Sequence, residues 1–290
     1  MAKENNLKDL LTDVADAIRE KKGTTELINP QDFGEEIRGI ESREENNLNI
    51  SFSVIDNTIV DTTNYSAFVI KEGVKQVALY NTRFSKVVNV TLPSTLEQLN
   101  NSCFQSFSEL TTVELPEKVV HIGSNAFHSC IKLSSITIPR NVKIISQPCF
   151  GMCVSLAEIV VDVNNTTYDS RENCNAIIQT STNTLVEGGI ASTIPNGITT
   201  IGVYAFRGRG PERLVFPKSI TKIETNAFNY NTQTLIYDFS NLEAIPTLVK
   251  ADAFTATSAS SQIIVPNGLY DEWVKATNWS TYANRIIKAE

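Results

Sequence analysis

Residues 110–127 read Leu-Thr-Thr-Val-Glu-Leu-Pro-Glu-Lys-Val-Val-His-Ile-Gly-Ser-Asn-Ala-Phe. Val113-Glu114-Leu115 alternates as a half-buried strand does, and Pro116, which has no amide hydrogen to give to a ladder, ends it. The same wording returns at a step of 23 residues: Leu92-Pro93, Leu115-Pro116 and Ile138-Pro139 keep it, as do Cys103-Phe104, Ala126-Phe127 and Cys149-Phe150. After an interruption it resumes at Ile194-Pro195 and Phe216-Pro217, with Ala205-Phe206 and Ala227-Phe228 in step. A period of this length marks a solenoid, because one unit is too small to bury its own apolar residues and the units must stack. The expected fold is therefore a β-rich repeat solenoid with one short strand per coil. Leu110, Val113, Leu115, Val119, Ile122 and Phe127, with their equivalents, should form ladders along its core. Burial of Phe104, Phe127, Phe150, Phe206, Phe228 and Phe254 contributes about 2 kcal/mol each by area. Phenylalanines at repeat spacing form a spine, not a cofactor pocket.

These residues closely resemble the BspA-like leucine-rich repeat, the 23-residue class of bacterial surface proteins and phage-borne genes. The resemblance covers about residues 68–266, from a degenerate first coil (Val69-Ile70, Val74, Val77) to one that drifts into Tyr237-Asp238-Phe239-Ser240. It implies a right-handed leucine-rich-repeat solenoid with a strand ladder on one face, a role in binding other macromolecules, and no catalysis.

Two stretches depart from the period. Phe150 and Phe206 are 56 apart, two repeats plus 10 residues, so something is inserted at about 163–190. Ile159-Val160-Val161-Asp162 completes a strand. The stretch 164–171 is turn-rich, and Ala176-Ile177-Ile178 and Thr184-Leu185-Val186 flank a Ser/Thr/Asn turn, which reads as a β-hairpin. The wording of residues 168–178 is similar to an insertion that recurs in BspA-like proteins, which implies a scaffold role. After a final strand at Ile263-Ile264-Val265, Leu269, Trp273 and Ala276 lie at i, i+4 and i+7, and predict a capping helix within 267–290 that closes the solenoid end. The wording Leu-Tyr-Asp-Glu-Trp followed by Asn278-Trp279-Ser280 resembles the usual ending of the family.

Residues 1–44 are a different module. Leu7, Leu10, Leu11, Val14, Ala17 and Ile18 make an apolar helical stripe that Gly23 can end. Asn29 suits the N-cap and Pro30 the first position of a second helix, with Phe33, Ile37 and Ile40 as its apolar face. Such a hairpin is too small to stand alone and must dock or oligomerise. One reading is a cap on the first coil. The other follows from wording: residues 11–26 and 28–33 look like an N-terminal module of tailed-phage structural proteins, with Leu27 where a proline is expected. That resemblance implies attachment to a virion, through Leu7, Leu11, Val14, Ile18, Phe33, Ile37 and Ile40. The expected division is thus 1–44, a solenoid over 45–266, and a cap over 267–290.

The net charge is −7, of which residues 1–45 carry −5. A concentrated basic surface is missing, which argues against nucleic acid as a partner. No run approaches the roughly 18–20 apolar residues of a membrane helix, and the N-terminus lacks the apolar core of a signal peptide, so no membrane insertion is expected. Five cysteines without a secretion signal argue for reduced thiols. Cys103 and Cys149 fill the small slot before Phe, and Cys130 and Cys153 share another slot, so neither a metal nor another cofactor is called for. His121 and His128 read as solvated, and no catalytic motif is present, so no enzyme is expected.

What remains is surface. With Val113 and Leu115 inward, Glu114 points out, and the repeat places Thr137, Val160, Val215 and Ile236 on the same exposed strand face. This row is the candidate interaction face, open to a partner unless the inserted hairpin covers it. The expected partners are other virion proteins, a host surface protein or glycan, or further copies of the chain. The leading expectation is a phage tail or fibre protein located in the virion, and the alternative a bacterial BspA-like cell-surface adhesin.

Overall fold

The computed structural model describes residues 47–49, 67–70, 72–77 and 86–290. The expected helical hairpin of residues 1–44, with Leu7, Leu11, Val14, Ile18, Phe33, Ile37 and Ile40, lies outside them.

The chain winds as a β-solenoid whose coils carry two short strands each, not one. The first row of strands comprises one ladder of β1 (Asn47–Asn49), β2 (Ala67–Val69), β4 (Asn89–Thr91) and β6 (Thr112–Val113), and another of β8 (Ser135–Ile138) and β10 (Glu158–Val161), together called the first ladder. The second runs through β3 (Gln76–Val77), β5 (Gln98–Leu99), β7 (His121–Ile122) and β9 (Ile144–Ile145). Both are parallel, with His121 beside Gln98 and Ile144. The second ladder escapes sequence reading because two-residue strands are too short to show alternation. Its rungs are real all the same: Gly123 N–H donates to the Leu99 carbonyl at 2.7 Å and Ser146 N–H to that of Ile122 at 2.9 Å.

A turn side closes each coil. Its backbone repeats left-handed residues four apart, Ser102 with Ser106 and Asn125 with Ser129, then Tyr204 with Gly208 and Asn226 with Tyr230. Each such turn brings a phenylalanine to the interior. Phe104, Phe127 and Phe150 stack at 5.5 and 5.4 Å between ring centroids, and Phe206, Phe228 and Phe254 at 5.8 and 4.8 Å. All six are buried, so the spine expected from the repeat is present.

The insertion starts a new sheet on the side of the second ladder. After β11 (Tyr168–Asp169) the chain returns as β12 (Ala176–Gln179), antiparallel to both β11 and β13 (Thr184–Gly188). From β13 the parallel order resumes through β14 (Thr200–Ile201), β16 (Lys222–Ile223) and β18 (Thr247–Leu248). The first ladder restarts as β15 (Arg213–Val215), β17 (Ile236–Asp238), β19 (Gln262–Val265) and β20 (Ile286–Lys288).

The end of the solenoid is not closed by one capping helix. The α-helix α1 covers only Tyr270–Trp273, between a 3-10 turn at Asn267–Leu269 and another at Trp279–Arg285, and β20 then adds a rung to β19. The broken segment instead places three side chains against carbonyls of the last coil. Asn278 Nδ2 donates to the Leu248 carbonyl at 2.7 Å, Trp279 Nε1 to that of Pro246 at 2.9 Å, and Tyr282 Oη to that of Ala251 at 2.5 Å. The apolar face survives in shorter form: Trp273 is fully buried, with Leu269 and Ala276 packed against the same core.

Candidate interaction surface

Strand alternation sets this surface. On the first ladder Leu214, Tyr237, Ile263 and Ile286 point into the core, so their neighbours point out. Glu114 and Thr137 are exposed, Val160 is 38% and Val215 44% exposed, and Ile236 is half-buried. Val160 stands beside Thr137, as the repeat implies.

The register of the later coils differs from the one expected. Val215 faces Asp238, followed by Ile264 and Ile287, whereas Ile236 stands between Arg213 and Gln262 in the neighbouring row. Val215 and Ile236 therefore do not share a row. The cause is local: Arg213 comes seven residues after Phe206 but Ile236 eight after Phe228, so the Phe step is 22 and the strand step 23.

Nor is the later face apolar throughout. Arg213 pairs with Asp238 across the two rows, and the Ser240 N–H donates to Asp238 Oδ1 at 3.0 Å. Burial opposes the charge on Asp238, but Ser240 and Arg213 outweigh it and hold the carboxyl below its ordinary range. Val160 and Val215 are thus separate apolar points on a polar strand face, whereas Ile264 and Ile287 stand side by side on β19 and β20. Sequence reading missed Arg213 and Asp238 because both fill variable positions. The inserted strands form a sheet of their own with β14, β16 and β18, and Val160 and Val215 stay exposed beside them.

The residues with chemical potential lie elsewhere. His121 is half-buried, with Nε2 3.3 Å from Ser146 Oγ on the next coil. His128 is less solvated than expected: its Nδ1 sits 2.9 Å from Ser129 Oγ, and burial, with Arg207 and Arg209 nearby, pushes the imidazole down to about 4. The thiols of Cys103, Cys130, Cys149, Cys153 and Cys174 are free and buried. Cys130 and Cys153 occupy equivalent slots, each donating to a carbonyl of the preceding coil, Phe104 at 3.1 Å and Phe127 at 3.0 Å. Burial raises the Cys103, Cys130 and Cys149 thiols well above their ordinary value, which makes them poor nucleophiles. Among the described residues no cluster of His, Cys, Asp and Glu is placed to hold a metal ion, and no helix is long and apolar enough to cross a membrane.

The solenoid has counterparts among known proteins. The pneumococcal vaccine antigen PcpA is similar at 15% identity and a TM-score of 0.46, over 83% of each chain. A leucine rich cell surface protein of Faecalibacterium prausnitzii A2-165 is similar at 20% identity and a TM-score of 0.40, over 79% of this chain and 61% of that one. The T. pallidum leucine rich repeat protein is similar at 21% identity and a TM-score of 0.32, over 38% of this chain. The matched part spans 57% of the T. pallidum protein's length. No curated protein matches. The description of the BspA type leucine rich repeat region fits residues 53–178 and 190–272, in six copies. With most of its length in those repeats, the chain belongs to the BspA-type leucine-rich-repeat family.

Proposed function

We propose that this chain is a non-enzymatic binding protein that meets its partner with the outward strand face of the first ladder. The observation that supports this reading is the outward row of Val215, Ile264 and Ile287, which only Asp238 interrupts, with Val160 exposed on the earlier coils. A parallel ladder gives such side chains fixed spacing, which suits recognition of a large surface. We assign the protein to a tailed-phage virion, as a tail or fibre component attached through residues 1–44, because of the wording at 11–26 and 28–33. Its target is then a bacterial surface protein or glycan, or a neighbouring virion protein. The second reading is a bacterial cell-surface adhesin. It is favoured by the family match, which accounts for the repeats and leaves residues 1–44 aside.

Immunogold labelling of purified phage particles and of intact bacteria from a culture carrying the gene separates the two. Label on particle tails supports the virion; label on cells alone supports the adhesin; label on neither overturns both. Val160→Lys and Val215→Lys should abolish attachment while leaving thermal unfolding unchanged. Attachment that survives both substitutions removes the strand face from the proposal.

A further inference from the structure

We infer that the turn side of the solenoid holds a binding site for a carboxylate-bearing sugar, centred on Arg207. The guanidinium carbon of Arg207 lies 5.0 Å from the ring centroid of Tyr204 and 6.0 Å from that of Tyr230. The cation thus lies within reach of aromatic rings from two consecutive coils. Its Nε is shielded from solvent and has no hydrogen-bond partner. The other described arginines are all engaged: Arg140, Arg171, Arg209 and Arg213 each meet a carboxylate, and Arg285 bonds to Ser261. Arg209 Nε is unpaired as well, but Arg207 is the one described arginine with no side-chain hydrogen bond or ion pair at all, in a protein of net charge −7.

The backbone supplies an independent observation. Tyr204 and Tyr230 sit at φ 58° and 59°, in turn positions that other coils fill with Ser102, Asn125 and Asn226 or with Ser106, Ser129, Met152, Gly208 and Ala256. A bulky aromatic residue is strained in this left-handed region, where Asn or Gly fits more easily. Strain of this kind persists where the placement of a side chain matters, and here it directs two rings at one cation. Glu187 neutralises the neighbouring Arg209, which leaves Arg207 as the source of positive potential on this patch.

The ligand class follows from these parts. A guanidinium offers paired N–H groups to a carboxylate. Tyrosine rings offer flat faces to the C–H surface of a sugar, and Tyr230 is 51% exposed. Uronic and sialic acids carry both features on one ring, whereas an acidic peptide brings the carboxylate without a rigid ring to lie against the tyrosines. The site lies on the turn side, and the strand face need not be in use for it to work.

Saturation-transfer NMR on the full chain tests it, with glucuronic acid as probe at up to about 20 mM, since a single charged contact gives affinities in the millimolar range. Glucose is the neutral comparator and a hexa-aspartate peptide the acidic one. The expected result is saturable transfer to glucuronic acid, none to glucose, and a loss of about tenfold in affinity in Arg207→Gln and in Tyr230→Ala. Tyr230→Ala is the safer variant for folding, because Ala256 occupies the equivalent turn position at φ 56°. Equal transfer to glucose, absence of saturable transfer, or undiminished binding in a folded variant overturns the site. Preference for the peptide overturns the sugar assignment.

Discussion

Arg209 and Glu187 form an ion pair in which Nη2 lies 2.6 Å from Oε2 and neither side chain has any exposure to solvent. The pair stands in for a missing rung. In regular coils the N–H of Phe104 donates to the Ala126 carbonyl and that of Phe127 to the Cys149 carbonyl. At Cys149 and Phe150 the insertion intervenes, and Gly188 takes the Ala205 carbonyl that would have continued the series. Glu187 Oε1 accepts from Cys149 N–H at 2.9 Å and from Phe150 N–H at 3.4 Å, while Arg209 Nη1 donates to the Phe150 carbonyl.

Removing one member of this pair strands the other. Arg209→Met leaves a buried carboxylate without its cation and should cost about 3–5 kcal/mol, read as a lower urea midpoint. The double variant Glu187→Gln/Arg209→Met should be more stable than Arg209→Met alone, since the amide oxygen can still accept from Cys149 and Phe150. A double variant no more stable than the single one contradicts the charge argument.

His128 makes stability depend on pH in one direction. Its pKa is about 4 in the folded chain against 6.5 for the free side chain, through burial first and then Arg207 and Arg209. Between these values the unfolded chain binds the extra proton, so the His128 contribution is level above pH 6.5 and stability falls with it as the pH drops from 6.5 toward 4. Because the ring is only half-buried, solvent screening limits the effect to the order of 1 kcal/mol. Urea midpoints at pH 7.5, 5.5 and 4.5 should show this loss, and His128→Gln should lessen it. An unchanged slope in the variant assigns the acid sensitivity to other groups.

The repeat made the core legible: Val113, Leu115, Ile122 and Phe127 are buried as their spacing demands. It did so because core positions admit few residue types, and those types recur. Surface register was less legible, since Val215 and Ile236 could be aligned only by counting across a turn of variable length. The stretch that follows, Tyr237-Asp238-Phe239-Ser240, lacks the proline that marks the ends of the earlier strands. The Arg207 site was hidden for a related reason. Tyr204 and Tyr230 fill variable positions, and nothing in the repeat marks them as neighbours of Arg207.

Gly188 is where the phenylalanine stack passes the insertion. A Cβ there would lie 2.2 Å from Phe206 Cε1, inside a fully buried region, so the ring would have to move. Gly188→Ala should therefore destabilise by about 1–3 kcal/mol, the usual cost of overpacking. Gly268, whose added Cβ meets nothing within 4 Å, is the control. Gly268→Ala should leave the thermal midpoint unchanged or slightly raised. Equal effects at the two positions would show that contact with Phe206 is not what excludes a side chain at 188.

The last coil depends on Asn278 in two separable ways. Its φ of 66° is left-handed, and its side-chain amide donates to the carbonyls of Leu248 at 2.7 Å and Val249 at 3.3 Å. Asn278→Gly keeps the backbone freedom and loses only the hydrogen bonds, a change of about 1 kcal/mol. Asn278→Ala loses the bonds and also forces a β-carbon into the left-handed region, so it should cost about 2 kcal/mol. The order Asn278, Gly, Ala in urea midpoint is the expected outcome. If Gly matches Asn278, the amide contributes nothing to closing the edge of β18, and backbone geometry alone explains the residue. If Gly and Ala fall together well below Asn278, the hydrogen bonds to Leu248 and Val249 are what hold the cap in place.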